Sequence, residues 1–99
     1  MRKSKIIRKI WDDAIVNEEI LGYVYNYNGV DFGIYNCKDY NCQFHTGFIP
    51  VLISKNDNCN GLSLLPSKEH YLTLKQTLEE TKKTIDKNID LILRKIQEC

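Results

Sequence analysis

The sequence predicts an α+β domain in two layers: a short amino-terminal helix, a three-stranded antiparallel sheet and a long carboxy-terminal amphipathic helix. Three observations predict it. An Asn28-Gly29 pair separates two runs of alternating side chains. A further run rich in β-branched and aromatic residues, CQFHTGFIPVLIS, follows one loop later. Beyond Ser67 the apolar period changes from two to that of a helix.

Residues 1–19 read as a basic helix, opened by Ser4 as its cap, with Ile7, Ile10, Trp11 and Ala14 on one side. Residues 20–54 make the sheet. In GYVYNYNGVDFGIYN a two-residue type I′ turn pairs Tyr27 with Val30, Asn26 with Asp31, Tyr25 with Phe32, Val24 with Gly33 and Tyr23 with Ile34. That register puts Tyr23, Tyr25, Tyr27, Val30, Phe32 and Ile34 on one face, for the core. Val24, Asn26, Asp31, Gly33 and Tyr35 fall on the other, for water. In the third strand Pro50 cannot donate a ladder hydrogen bond, so this strand lies at an edge or breaks between Gly47 and Pro50. Residues 55–66 are a surface loop that carries Cys59.

Residues 67–98 read as one helix, capped by Ser67, with an apolar stripe of Leu74, Leu78, Thr81, Ile85, Ile89, Ile92 and Ile96. Leu74, Ile85 and Ile96 repeat at the spacing of a straight α-helix. Glu79 with Lys83 and Asp90 with Arg94 form favourable pairs on its solvated side. About 30 helical residues span about 45 Å, against about 23 Å for the strands beneath them. The distal end therefore overhangs, with Ile89, Ile92, Leu93 and Ile96 expected to pack on the same segment of a second chain as a homodimer. A break within DKNID is the alternative, and no glycine or proline there marks one.

A chain of 99 residues supports a single core, and 42% hydrophobic with 27% charged residues is the composition of a folded domain. The net charge of +1 provides no global attraction to nucleic acid or to anionic lipid. No apolar run approaches the roughly 20 residues that cross a bilayer. A cytoplasmic protein without membrane contact is expected, and its four cysteines are then expected as reduced thiols.

The chemistry-bearing residues gather in YNCKDYNCQFH. Cys37, Cys42 and His45, with Cys59 further on, have the ligand types and number of a structural zinc site, although the spacing between the first pair is wide for a zinc knuckle. The competing reading needs no cofactor: a strand-turn-strand connection in which Asn36, Asp39 and Asn41 supply the turn. Catalysis has few candidates. Cys42 and His45 fall on opposite faces of a strand, and His70 sits in the first turn of the expected helix, so neither makes a nucleophile-base pair. No phosphate loop or cofactor fingerprint is present, and a non-enzymatic protein is expected.

The amino end carries Arg2, Lys3, Lys5, Arg8 and Lys9 ahead of any acidic residue. These charges suit phosphate contacts, with Tyr35 and Tyr40 as stacking platforms, which is the nucleic-acid alternative. For a protein partner the first choices are Tyr35, Tyr40, Phe44 and the loop from Lys55 to Asn60, including Lys55 and Asn58.

The order YNYNGVDFGIY, then FHTGF, then a charged amphipathic helix resembles small accessory proteins of phages and integrated elements. The likeness covers residues 23–98 by architecture and only YNGVDF and HTGF by residue. Among such proteins, anti-CRISPR and other anti-defence proteins are non-catalytic domains that block a host factor or sequester a small signalling ligand. The resemblance implies a binding or inhibitory module whose partner is a host protein or such a ligand. It carries over no site residues.

Overall fold

Asn28 and Gly29 turn the central hairpin with φ of 50° and 82°, the left-handed values that a type I′ turn needs at both positions. The turn joins β2 (Ile15–Tyr27) to β3 (Val30–Asn36). Every pair expected from the sequence forms, from Tyr27 with Val30 to Tyr23 with Ile34. The computed structural model describes residues 2–11, 14–40, 47–65 and 71–98, and of Trp11 only the backbone.

The amino-terminal segment is a strand, not the expected helix. β1 (Lys3–Trp11) pairs antiparallel with β2 in one unbroken register, from Lys3 with Tyr23 to Trp11 with Ile15. Ile7, Ile10 and Trp11 fit helical spacing, but Ile6, Ile7 and Ile10 are β-branched and favour a pleated surface. The deciding term is tertiary. β2 has 13 residues and lies between β1 and β3, so its edge opposite β3 offers a full-length ladder, and β1 takes nine residues of it.

The sheet therefore has four strands rather than three, in the order β1-β2-β3-β4, with β4 (Phe48–Leu52) at its far edge. Pro50 sits inside β4 opposite Ile34. The Leu64 N–H donates to the Pro50 carbonyl at 3.0 Å and the Leu52 N–H to the Leu62 carbonyl at 2.7 Å. The Pro50 backbone thus faces outward, away from β3, and its missing donor costs the ladder nothing.

The sheet curls toward one face. Ile6 reaches from β1 across Gly22 and Gly33, where a Cβ would lie 2.5 and 2.8 Å from its Cδ1. The loop after β4 returns to β1, where Lys9 Nζ donates to the Asp57 carbonyl at 3.0 Å. The inner face is filled by Ile6, Ile20, Tyr35, Cys37, Ile49 and Val51. On the outer face Val30, Phe32, Ile34, Leu52 and Cys59 meet Ile85. Of the face expected for water, Val24, Asn26 and Asp31 are exposed, whereas Gly33 and Tyr35 are buried, so β3 beyond Asp31 is covered on both sides.

The helical region begins later and is interrupted. α1 (Leu74–Lys87) is capped by Thr73, whose hydroxyl accepts from the Gln76 N–H at 3.1 Å. Ser67, the expected cap, lies outside the described residues. Thr77, Thr81 and Ile85 are the buried face of α1, and both threonine hydroxyls donate to carbonyls four residues back. α2 (Ile89–Glu98) follows after Asn88, which has φ −122° and ψ 25°. The Asn88 side chain donates to the Thr84 carbonyl at 3.1 Å, so a short amide, and not glycine or proline, ends the helix. The expected single helix is corrected accordingly. Ile89, Ile92, Leu93 and Ile96 are half-buried against the chain's own outer-face core, so the overhang that called for a second chain does not form. Among the described residues no helix is long and apolar enough to cross a membrane.

Candidate binding cleft

Pairing between β2 and β3 ends at Tyr23 and Ile34, while β2 runs on alongside β1. The two strands part there. Where β2 loses its neighbour, the Leu21 N–H donates to the Tyr40 hydroxyl at 2.9 Å and that hydroxyl donates to the Leu21 carbonyl at 3.2 Å. Tyr40 ends a 3₁₀ turn, Cys37–Tyr40, that follows β3. The turn is set by Asn36, whose Oδ1 accepts from the Lys38 N–H at 3.1 Å.

The split leaves a cleft of about 180 Å³. Leu21, Tyr23, Ile34 and Phe48 supply apolar lining, joined by Tyr35, and Lys3, Asn36 and Asp39 supply the polar groups. Lys3 Nζ lies 3.8 Å from Asp39 Oδ2 and 5.6 Å from the centroid of the Tyr23 ring. Behind the cleft the Arg8 guanidinium stands 5.6 Å from the Tyr35 ring and 5.3 Å from that of Tyr40. Arg8 Nε donates to the Glu18 carboxylate across the β1-β2 pair. Burial pushes the Tyr35 hydroxyl above the ordinary tyrosine range, and Arg8 draws it partly back. This buried cation holds both tyrosines, and through Tyr40 the turn that carries Asp39.

Of the residues singled out by sequence, Lys3 and Tyr35 meet at the cleft, with Tyr40 and Arg8 beside it. The rest scatter. Arg2 is exposed away from the lining, and Lys55 and Asn58 are exposed on the loop after β4, where the Asn58 N–H donates to Asn56 Oδ1 at 3.0 Å. Phe44 lies outside the described residues, as do Cys42, His45 and His70. Tyr35 is 7% exposed and Tyr40 is half-buried, so neither is the open stacking platform expected for nucleic acid. Three of the five basic residues of the amino end also meet acidic partners within the chain. Lys3 faces Asp39, Lys5 faces Glu19 at 3.5 Å, and Arg8 faces Glu18. Strand alternation turns Arg8 to one face and Lys3, Lys5 and Lys9 to the other, which divides the expected phosphate-binding stripe.

Of the four residues of the zinc alternative, Cys42 and His45 lie outside the described residues. Cys37 belongs to the inner-face cluster and Cys59 to the outer-face cluster, and both are disulfide-bonded, which corrects the expectation of reduced thiols. An oxidised sulfur is not a thiolate ligand. Among the described residues no three histidine, cysteine or acidic side chains gather where a metal ion would sit.

Leu21, Tyr23 and Phe48 were not picked out by sequence as site residues, and Asn36 and Asp39 were legible only as turn formers. The signal for them is the difference in length between β2 and β3, visible once β1 is read as a strand. No protein-family model matches the chain, and neither do the curated proteins or the solved structures.

Proposed function

We propose that the protein is a non-catalytic binding module that seats one side chain of a protein partner in the cleft between β2 and β3. The observation that carries this reading is the cleft's size together with its lining. At about 180 Å³ it is smaller than the roughly 300–1,000 Å³ of sites that enclose drug-sized ligands, and close to the roughly 150 Å³ that takes a benzene ring. That is room for one side chain. A nucleotide-like signalling molecule exceeds it, so of the partners implied by the resemblance a host protein fits better than a small ligand. A single anchor in a well-lined pocket is also how binding surfaces concentrate their energy.

The cleft's polar groups are an ammonium, an amide and a carboxylate engaged with one another and with the turn. What they offer a ligand is charge and hydrogen bonding, the chemistry of recognition. Blocking a host factor by occupying its surface is the inhibitory action that follows. The disulfide-bonded Cys37 and Cys59 favour an oxidising compartment, which moves this reading away from the cytoplasm and toward a partner met outside it.

The test is a titration of the labelled protein followed by amide chemical shifts. A phenol-sized probe is expected to move Leu21, Tyr23, Asn36 and Asp39, and a mononucleotide is expected to leave them in place. Stronger shifts from the mononucleotide, or none from phenol, would overturn the reading.

A further inference from the structure

We infer that the side chain taken by this cleft is cationic, an arginine before a lysine, and that Lys3 holds its place in the free protein. The inference rests on the reading of the cleft as a partner's pocket and adds the chemistry of what enters it.

The Lys3 ammonium already behaves as a ligand of the cleft. Its 5.6 Å from the Tyr23 centroid is within the roughly 6 Å over which a ring face attracts a cation, and Asp39 Oδ2 is 3.8 Å away. Take that ammonium out, and the remaining lining is one carboxylate, one amide, aromatic rings and two aliphatic side chains. Such a surface carries a single negative charge beside π faces. It attracts a cation, repels an anion and gives a neutral group no charge to pair with.

Lys3 is also placed to yield. Its side chain is 44% exposed and that of Asp39 is 52% exposed, and an open pair at 3.8 Å is weakly held. The Lys3 backbone is fixed by pairing with Tyr23, so exchange requires only rotation of a flexible side chain. An incoming guanidinium gains what the ammonium lacks: two parallel donors for Asp39 and a flat face for Tyr23.

The same protein shows this arrangement completed. Arg8 stands 5.6 and 5.3 Å from two tyrosine rings with its Nε on a carboxylate. Tyr23 and Asp39 repeat the tyrosine and the carboxylate at the surface, with a displaceable lysine in the position that Arg8 fills inside.

Three probes decide it, n-butylguanidinium, n-butylammonium and n-butanol, titrated by amide shifts into the unmodified protein, Lys3→Ala and Asp39→Asn. The guanidinium is expected to move Tyr23 and Asp39 and to bind more tightly than the ammonium. Lys3→Ala is expected to tighten it about two- to five-fold, the range of one exposed ion pair or cation–π contact. Asp39→Asn is expected to weaken it about five-fold, and added salt to weaken it in every form that keeps Asp39. Because Asn36 and not Asp39 caps the turn, the Asp39→Asn spectrum elsewhere should match that of the unmodified protein. Butanol binding as tightly as the guanidinium, or guanidinium binding indifferent to Asp39→Asn or weakened by Lys3→Ala, would overturn the cationic inference and leave the cleft standing. Failure of all three probes would overturn the cleft as well.

Discussion

Leu21 and Tyr40 are joined both ways: the Leu21 N–H donates to the tyrosine hydroxyl at 2.9 Å, and the hydroxyl donates to the Leu21 carbonyl at 3.2 Å. One side chain thus does what an adjacent strand would do for β2. Tyr40→Phe keeps the ring beside Arg8 and Tyr35 and removes only this link. Leu21 is 47% exposed, so water can reach its backbone, and the expected loss is modest, about 1 kcal/mol in urea unfolding. Hydrogen exchange at the Leu21 amide should quicken while Ile6 and Ile20 stay protected. An unchanged Leu21 rate would mean that the hydroxyl does not close the strand.

Gly22 and Gly33 are small because Ile6 lies over them. A Cβ on residue 22 would come within 2.5 Å of Ile6 Cδ1 and 2.9 Å of the Ile34 carbonyl oxygen. Gly22→Ala is expected to cost about 1–3 kcal/mol from overpacking. Adding Ile6→Ala should recover part of that loss in a double-mutant cycle, and only part, since the carbonyl cannot rotate away. Simple addition of the two effects would show that Ile6 does not occupy this space.

Tyr25, Tyr27 and Tyr35 are each held above the ordinary tyrosine value of 10.0, Tyr25 and Tyr35 chiefly by burial and Tyr27 chiefly by its hydrogen bond to Asp86. Each raised value means that the folded chain keeps its proton longer than the unfolded chain does. The stabilisation is therefore complete below about pH 10 and is lost as pH rises through the raised values. Thermal midpoints should fall across that window, and Tyr35→Phe should make the fall shallower. A midpoint that holds or rises above pH 10 would contradict this.

The carboxy-terminal helix gives a prediction opposite to the one its sequence suggests. A helix running on past its sheet would release a folded monomer when Ile92→Asp and Ile96→Asp are combined. In the observed fold both side chains lie against the chain's own core, so the double substitution should destabilise the fold of the chain itself, by about 2 kcal/mol or more. Urea unfolding with light scattering distinguishes the two. Unchanged stability with a halved mass would restore the dimer.

The central hairpin was legible because its information is local: Asn28 and Gly29 set the turn, the turn sets the register, and alternation sets the faces. Pro50 was legible for the same reason, since a residue without an N–H constrains its own position. β1 was not, because Ile7, Ile10 and Trp11 fit a helical period and the choice was made by the edge of β2 opposite β3, which only a strand can pair with. The break at Asn88 was not, because asparagine ends a helix only when there is something to gain, here the seating of Ile89 and Ile92 on the outer-face core. The cleft was visible only in part. Lys3 stood out for its charge and Tyr35 for its ring, but their meeting depends on where β2 outruns β3. The oxidation of Cys37 and Cys59 was hidden as well, since spacing alone does not separate a thiol from a disulfide.

The central claim is that a protein partner is met at the cleft. A photoreactive residue placed at position 21, whose side chain is 47% exposed on the cleft, compares directly with one at position 91, 64% exposed on α2, and one at position 15, 57% exposed at the far end of β2. After irradiation with the host's surface and secreted proteins under non-reducing conditions, position 21 is expected to yield one defined adduct that Asp39→Asn diminishes, with none from positions 91 and 15. Adducts from 91 or 15 without one from 21 would contradict the claim and place the binding surface elsewhere.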